Sequence, residues 1–293
     1  MKVIVTFALT ILFFMSPIQI NGYGSAANTR QAQQLLSQAR AALGGEAKFK
    51  AIRSLEISGE MQRIIADRQQ GGTITLAFLL PDKFKKSETM NLMAGVEITL
   101  VNAMYGNEVW SNSSTSSSGP RVRVTNTDEG AEGIAEQRRY LRAEMARYLF
   151  ALLLTSTPSF PVEFSYVGEA QASDGRADVI EAKGGDGFSA RLFLDKNTHR
   201  PLMMSYLAPD QNVSITTDRQ SRGRDSNRKG KASSSANGQL VETQMYFSDY
   251  RAEGGILLPH RISRSAGGKT VEDLTFNKAS INPSLKPTDF EKK

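Results

Sequence analysis

The sequence predicts a mainly β protein of the α+β class: a bent antiparallel sheet of about ten or eleven strands, with helices covering its concave face. Three observations carry this expectation. Apolar and polar residues alternate with a period of two through most of the chain after Ser54. Glycine-containing turns punctuate that alternation. The 3.6-residue period of a helix is confined to two segments. Alternation with one apolar face belongs to antiparallel sheets packed on one side.

The chain opens on Met1-Lys2, a short basic start, followed by the uncharged apolar run Val3 to Met15, then Pro17 and small residues. The run is shorter than the ~20 residues of a membrane span. It reads as a secretory signal peptide over residues 1–26, with Gly24 and Ala26 as the small-x-small cleavage site. An uncleaved anchor is the alternative. Either way residues 27–293, read as a single domain, are exported. The chain has no cysteine, so it has no disulfide, no thiolate nucleophile and no lipid-attachment cysteine behind the signal.

The first helix is "NTRQAQQLLSQARAALGG", with Asn28 or Thr29 as cap, an apolar stripe at Ala32, Leu35, Leu36, Ala39 and Leu43, and Gly44-Gly45 as its end. A further helical turn or two follows at "EAKFKAI". From Ser54 the period becomes two. "LEISGEMQRI" places Leu55, Ile57, Gly59 and Met61 on one face, and "GGTITLAFLLPDKF" does the same with Ile74, Leu76, Phe78 and Leu80. "GVEITLVNAMYGNEVWS" supplies two more strands, and Ser111 to Gly119 reads as a flexible loop. One long helix, Ala131 to Leu154, aligns Leu141, Met145, Tyr148, Leu149, Leu152 and Leu153; its first half is charged and its second half apolar. Seven further strands run to residue 282.

Within them, "SAGGKT" (Ser265 to Thr270) has the tail of a phosphate-binding loop, but Ser263 stands where the first glycine is needed and both flanks are extended. A hairpin turn through Gly267, Gly268 and Lys269 fits better. It pairs Arg264 with Glu272, Ile262 with Leu274 and His260 with Phe276.

The net charge is +6, and residues 219–231 alone hold six basic residues against one acid. With the serine-rich run that follows, 219–238 reads as a disordered basic loop rather than a nucleic-acid-binding face, which would spread its charge over folded surface. Catalytic patterns are missing: there is no GxSxG, no HExxH and no ligand-spaced carboxylate cluster, and only His199 and His260 offer imidazoles. The expectation is a protein that is not an enzyme, with no metal and no cofactor. Asn112 and Asn212 match short glycosylation sequons.

"LLPDKFKKSETM" followed by "YGNEVW" resembles the periplasmic lipoprotein carriers and receptors of the LolA/LolB-like, outer-membrane lipoprotein-sorting superfamily. In these a strand ends at a proline, an aromatic follows in the next strand, and a glycine turn leads to an aromatic strand; Pro81, Phe84, Gly106 and Trp110 hold those places. "LDKNTHRPLMMSYL", the opening "ARAALGGEAKFKAIRSLEISGEM" and the closing segment to Phe290 are similar too. The resemblance implies an unclosed half-barrel and a periplasmic protein that binds lipid or lipoprotein acyl chains for transport to, or sorting at, the outer membrane. It implies an inner- or outer-membrane sorting partner, no nucleic acid, and a monomer. Where carriers have an arginine that latches the lid helices, this chain has Leu80. The rival readings are a sensory module on the same fold, a secreted hydrolase and a structural envelope component. Candidate cavity residues are Ile57, Met61, Ile74, Leu76, Phe78, Leu80, Phe84 and Trp110 on the sheet and Leu141, Met145, Leu149 and Leu153 on the lid; plain core is the competing role for each.

Overall fold

The computed structural model describes residues 26–65, 68–93, 96–116, 122–123, 130–172, 175–209, 216–217 and 240–292. Residues 1–25 of the expected signal segment, the basic segment 219–238 and Asn212 lie outside them. The elements are α1 (Ala26–Ala42), α2 (Glu46–Lys50), β1 (Ser54–Ile65), β2 (Arg68–Leu79), β3 (Lys83–Met93), β4 (Val96–Tyr105), β5 (Glu108–Thr115), β6 (Val122–Arg123), α3 (Ala131–Tyr148) with a π-helical continuation (Leu149–Leu153), β7 (Val162–Ala172), β8 (Gly175–Gly184), β9 (Ser189–Asp195), β10 (Pro201–Pro209), β11 (Thr216–Thr217), β12 (Leu240–Glu253), β13 (Ile256–Ala266) and β14 (Lys269–Ile281).

Twelve strands form one sheet in the order β5-β4-β3-β2-β1-β14-β13-β12-β10-β9-β8-β7, every neighbour antiparallel, while β6 and β11 pair separately. β5 and β7 are its edges and do not meet, so the sheet is a half-barrel rather than a closed one. Its concave face and the two long helices share a core containing Leu36, Ile57, Phe78, Leu141, Phe150 and Ile262.

The strand missing from the sequence count is β3. Its inward positions are Phe84, Lys86, Glu88 and Met90, all buried, so two charges interrupt the apolar alternation that would mark it. β5 also runs on through Ser111–Thr115, expected as loop. It is an edge strand whose ladder to β4 supplies its hydrogen bonds while most of its side chains face water, so serine and asparagine are tolerated there. Asn112 lies on this strand.

The β13–β14 turn is shorter than expected. Only Gly267 and Gly268 form it, with φ 54° and 78°, the positive pair that a tight hairpin turn requires. A bulge between Arg264 and Ser265 then absorbs one residue, which is why the expected pairs Arg264–Glu272 and Ile262–Leu274 are in place. His260 Nδ1 lies 2.8 Å from Phe276 O.

α1 begins at Ala26, so Asn28 and Thr29 sit in its first turn instead of capping it; its stripe Ala32, Leu35, Leu36 and Ala39 is buried as expected. The second long helix is regular only to Tyr148. Its π-helical end is wholly buried and stops at Leu154, which adopts left-handed φ 54°. Arg40 of α1 donates to Leu154 O at 2.6 Å and also pairs with Glu46 at 2.6 Å.

Candidate functional site

Cross-strand registers define which side chains share the concave face. One row reads Val109–Met104–Phe84–Phe78–Leu55, and the next Ser111–Asn102–Lys86–Leu76–Ile57. Further rows add Ile74 beside Glu88, and Met61 beside Leu274. α3 lies over them. Phe78 and Phe84 stack at 4.9 Å between centroids, and Tyr148 of α3 meets them at 6.1 and 6.3 Å. Of the sequence-derived cavity candidates, Ile57, Met61, Ile74, Leu76, Phe78, Phe84, Leu141, Met145, Leu149 and Leu153 come together in this one buried layer.

Two candidates lie elsewhere. Leu80 sits in the turn beyond β2, half-buried against the core. Trp110 belongs to the row Trp110–Ala103–Lys85–Ala77, on the opposite face of the sheet. There its indole N–H donates to Phe290 O at 2.8 Å, and Lys85 donates to Asp289 O at 2.7 Å. Trp110 therefore holds the C-terminal segment on the convex side rather than facing α3.

The concave layer also contains charges that pattern reading missed. Arg63 (β1), Glu272 (β14) and Arg264 (β13) stand in a single cross-strand row, and Lys86 and Glu88 lie on β3. From α3, Glu144 enters this group. Arg63 pairs with Glu88 and Glu272, Arg264 with Glu272 at 3.4 Å, and Lys86 with Glu88 at 3.2 Å. Glu144 accepts from Lys86 at 2.9 Å and lies 4.0 Å from Arg264. Arg264 also reaches the Tyr148 hydroxyl at 3.4 Å. A neighbouring contact pins the helix on its other flank, with the Arg147 guanidinium 4.1 Å from the Tyr206 ring centroid.

Burial opposes charge on Arg63, Lys86, Arg264, Glu88 and Glu272, but the partners prevail. Desolvation presses the Lys86 ammonium toward neutrality, yet Glu144 and Glu88 hold its pKa well above the usual lysine value. Desolvation likewise raises Glu272, and Arg63 and Arg264 overcome it, bringing the carboxyl down to about 2. Glu88 is lowered in the same way against burial by Lys86 and Arg63. Arg147, lacking a carboxylate partner of that strength, is lowered by burial. Both depressed carboxylates stabilise the fold above their ordinary value of 4.5, and that contribution is lost as pH falls toward about 2. The urea midpoint is therefore expected to decline steadily between about pH 4.5 and pH 2; a midpoint that stayed level through that window would contradict the assignment.

At the opening between the sheet edges, a cleft of about 250 Å³ remains. Asp82, Met104 and Gly106 form one wall, Arg142, Met145, Ala146 and Leu149 of the second helix another, and residues 155–162 the third. Ser159 donates to Pro81 O at 2.8 Å across its rim. Among the described residues no helix is long and apolar enough to cross a membrane, and no group of His, Asp or Glu is placed to hold a metal ion. His260 is buried between Phe276 O and Glu253, the latter 3.3 Å from Nε2.

No protein-family model matches the chain, and no curated protein does. Solved structures do. The chain is similar to lipoprotein-sorting structures of the LolA type. An outer-membrane lipoprotein-sorting protein domain from Vibrio parahaemolyticus is 12% identical, with a TM-score of 0.45 and 90% of this chain and 97% of that one covered. A LolA superfamily protein from Nitrosomonas europaea is 12% identical at TM-score 0.42, covering 89% and 97%. A DUF1329 family protein from Desulfovibrio piger is 10% identical at TM-score 0.42, covering 89% and 97%. At these scores the likeness is one of outline.

Proposed function

We propose that this protein binds the acyl chains of a lipid or lipoprotein in the hollow beneath α3, as a periplasmic carrier or receptor serving transport to, or sorting at, the outer membrane, and performs no chemistry itself. The observation that carries the reading is the layer of apolar side chains on the open side of the half-barrel, covered by helices instead of by a second sheet. Such a cover can lift without breaking a strand ladder. The cleft beside Met145 and Leu149 is the place where lifting would begin. Its 250 Å³ falls below the ~300–1,000 Å³ of ordinary ligand pockets, so admitting an acyl chain requires the helix to move. A sixteen-carbon chain gains on the order of 12 kcal/mol from burial at ~0.8 kcal/mol per CH₂, before ordering costs. In the loaded state Ile57, Met61, Ile74, Leu76, Phe78 and Phe84 would face the chain from the sheet, and Leu141, Met145, Leu149 and Leu153 from the lid.

Native mass spectrometry of the protein purified from the cell envelope tests this reading, with a co-purified lipid mass expected. Ala146→Trp, which fills the cleft from the helix side, is expected to weaken displacement of a fluorescent fatty acid by tenfold or more, about 1.4 kcal/mol, while leaving the thermal melt intact. Absence of any lipid, together with failure to bind the fluorescent probe, would sink the proposal.

A further inference from the structure

A layer built only to shelter hydrocarbon has no use for four buried charged side chains and two half-buried arginines, so the composition of the ionic group bears on what enters. The sheet contributes three cations, Arg63, Lys86 and Arg264, and two carboxylates, Glu88 and Glu272. The third carboxylate, Glu144, arrives on α3. With the helix down, the ion-paired members stand three against three, and Arg147 of α3 lies beside them against the Tyr206 ring. With the helix raised, the sheet keeps three cations against two anions, one uncompensated positive charge in a water-poor concavity. An uncompensated buried charge is strongly unfavourable, so lifting the helix is uphill unless another anion takes the vacated place.

The vacated place has a defined shape. Lys86 is 4% exposed and directs its ammonium at Glu144. The Nε of Arg264 is buried and has no hydrogen-bond partner, and neither has Oε2 of Glu144. Donor capacity is thus left over at the point where the helix carboxylate sits, and that carboxylate is itself imperfectly held. Along β3, one inward position from Lys86, lies Phe84, whose cross-strand row passes through Met104 into the wall of the cleft. A charged end at Lys86 and Arg264 and a chain laid along Phe84, Phe78 and Met104 would occupy a continuous track.

We infer that the ligand of this hollow is an amphiphile with one anionic head group, a carboxylate or a phosphodiester, and that Glu144 occupies the head-group position while the site is empty. The inference rests on the acyl-chain reading above and adds the head group to it. Glu144 is then an internal surrogate for the ligand, and the lid opens by exchange of one anion for another.

Two pairs of probes with matched chains test this on the full-length exported protein: palmitate against hexadecanol, and lysophosphatidylglycerol against lysophosphatidylcholine. In the wild type, the anionic member of at least one pair is expected to bind about tenfold more tightly, and the pair that discriminates identifies the head group as carboxylate or phosphodiester. Glu144→Gln is expected to raise affinity for that anionic probe by about a further tenfold while changing its neutral or zwitterionic counterpart much less. Lys86→Met is expected to erase the preference. Should that variant not fold, Lys86→Met with Glu144→Gln removes both partners and reads out the same loss. Equal binding within both pairs, unchanged by Glu144→Gln, overturns the head-group assignment and leaves acyl-chain binding standing. Failure of all four probes to bind overturns both.

Discussion

Glu272→Ala is expected to cost about 3–5 kcal/mol of folding stability. Glu272 is 4% exposed and is shared by Arg63 and Arg264, so its removal leaves Arg63 with Glu88 alone and Arg264 with only the 4.0 Å contact to Glu144. Intact, the group contributes little net stability, since desolvation offsets most of the Coulombic gain. Half-removed, it leaves under-compensated charge that is mostly withdrawn from water. The measurement is the urea midpoint at neutral pH with an unchanged slope. A companion in which Arg63, Arg264, Glu272 and Glu144 are all replaced by apolar residues of similar volume is expected to recover most of the loss, because only the Lys86–Glu88 pair is then left behind. A Glu272→Ala midpoint equal to that of the wild type would show that the ion pairs are solvated in solution.

Gly59→Val is expected to be comparably damaging, at about 4 kcal/mol or more. Gly59 stands at the bulge where β1 changes register against β14. A Cβ built there would come within 2.0 Å of Thr275 O and 2.6 Å of Phe276 Cα, both backbone atoms of the neighbouring strand. Neither can rotate away, so the two central strands must separate. The cost arises from steric exclusion in the folded ladder, and thermal unfolding of the valine variant is the check. Gly267 makes a useful contrast: a Cβ there meets nothing within 4 Å, and only its positive φ of 54° resists substitution.

The hairpin at the end of the chain was legible because its determinants are local. Two glycines supply the turn, and Ile262–Leu274 and Arg264–Glu272 are sensible pairs on either side of it. The amphipathic helices were legible for the same reason, since their stripes repeat within a few residues. β3 was not, because Lys86 and Glu88 occupy inward positions whose partners lie on β1 and α3, far along the sequence. Trp110 illustrates a different loss. Its strand was identified, but pattern alone does not decide whether Val109 or Trp110 faces inward, and the contact that decides it comes from Phe290. The ionic group was the hardest to see. Arg63, Glu88, Glu144 and Arg264 each look like surface charges when read singly. The available signal was phase: Arg63 is in step with Met61 and Ile65, and Glu144 falls three residues after Leu141, within the buried stripe.

The bond from Arg40 to Leu154 O has a mechanical consequence. It crosses from the first helix to the carbonyl of Leu154, the residue whose N–H closes the last turn of the second on Leu149 O, and Glu46 accepts from the same guanidinium. The two helices are thereby yoked at one end, so a swing of the covering helix about its C-terminal pivot tugs on the leading helix. A spin label placed near residue 27 would sense loading of the hollow from a distance, without touching whatever occupies it.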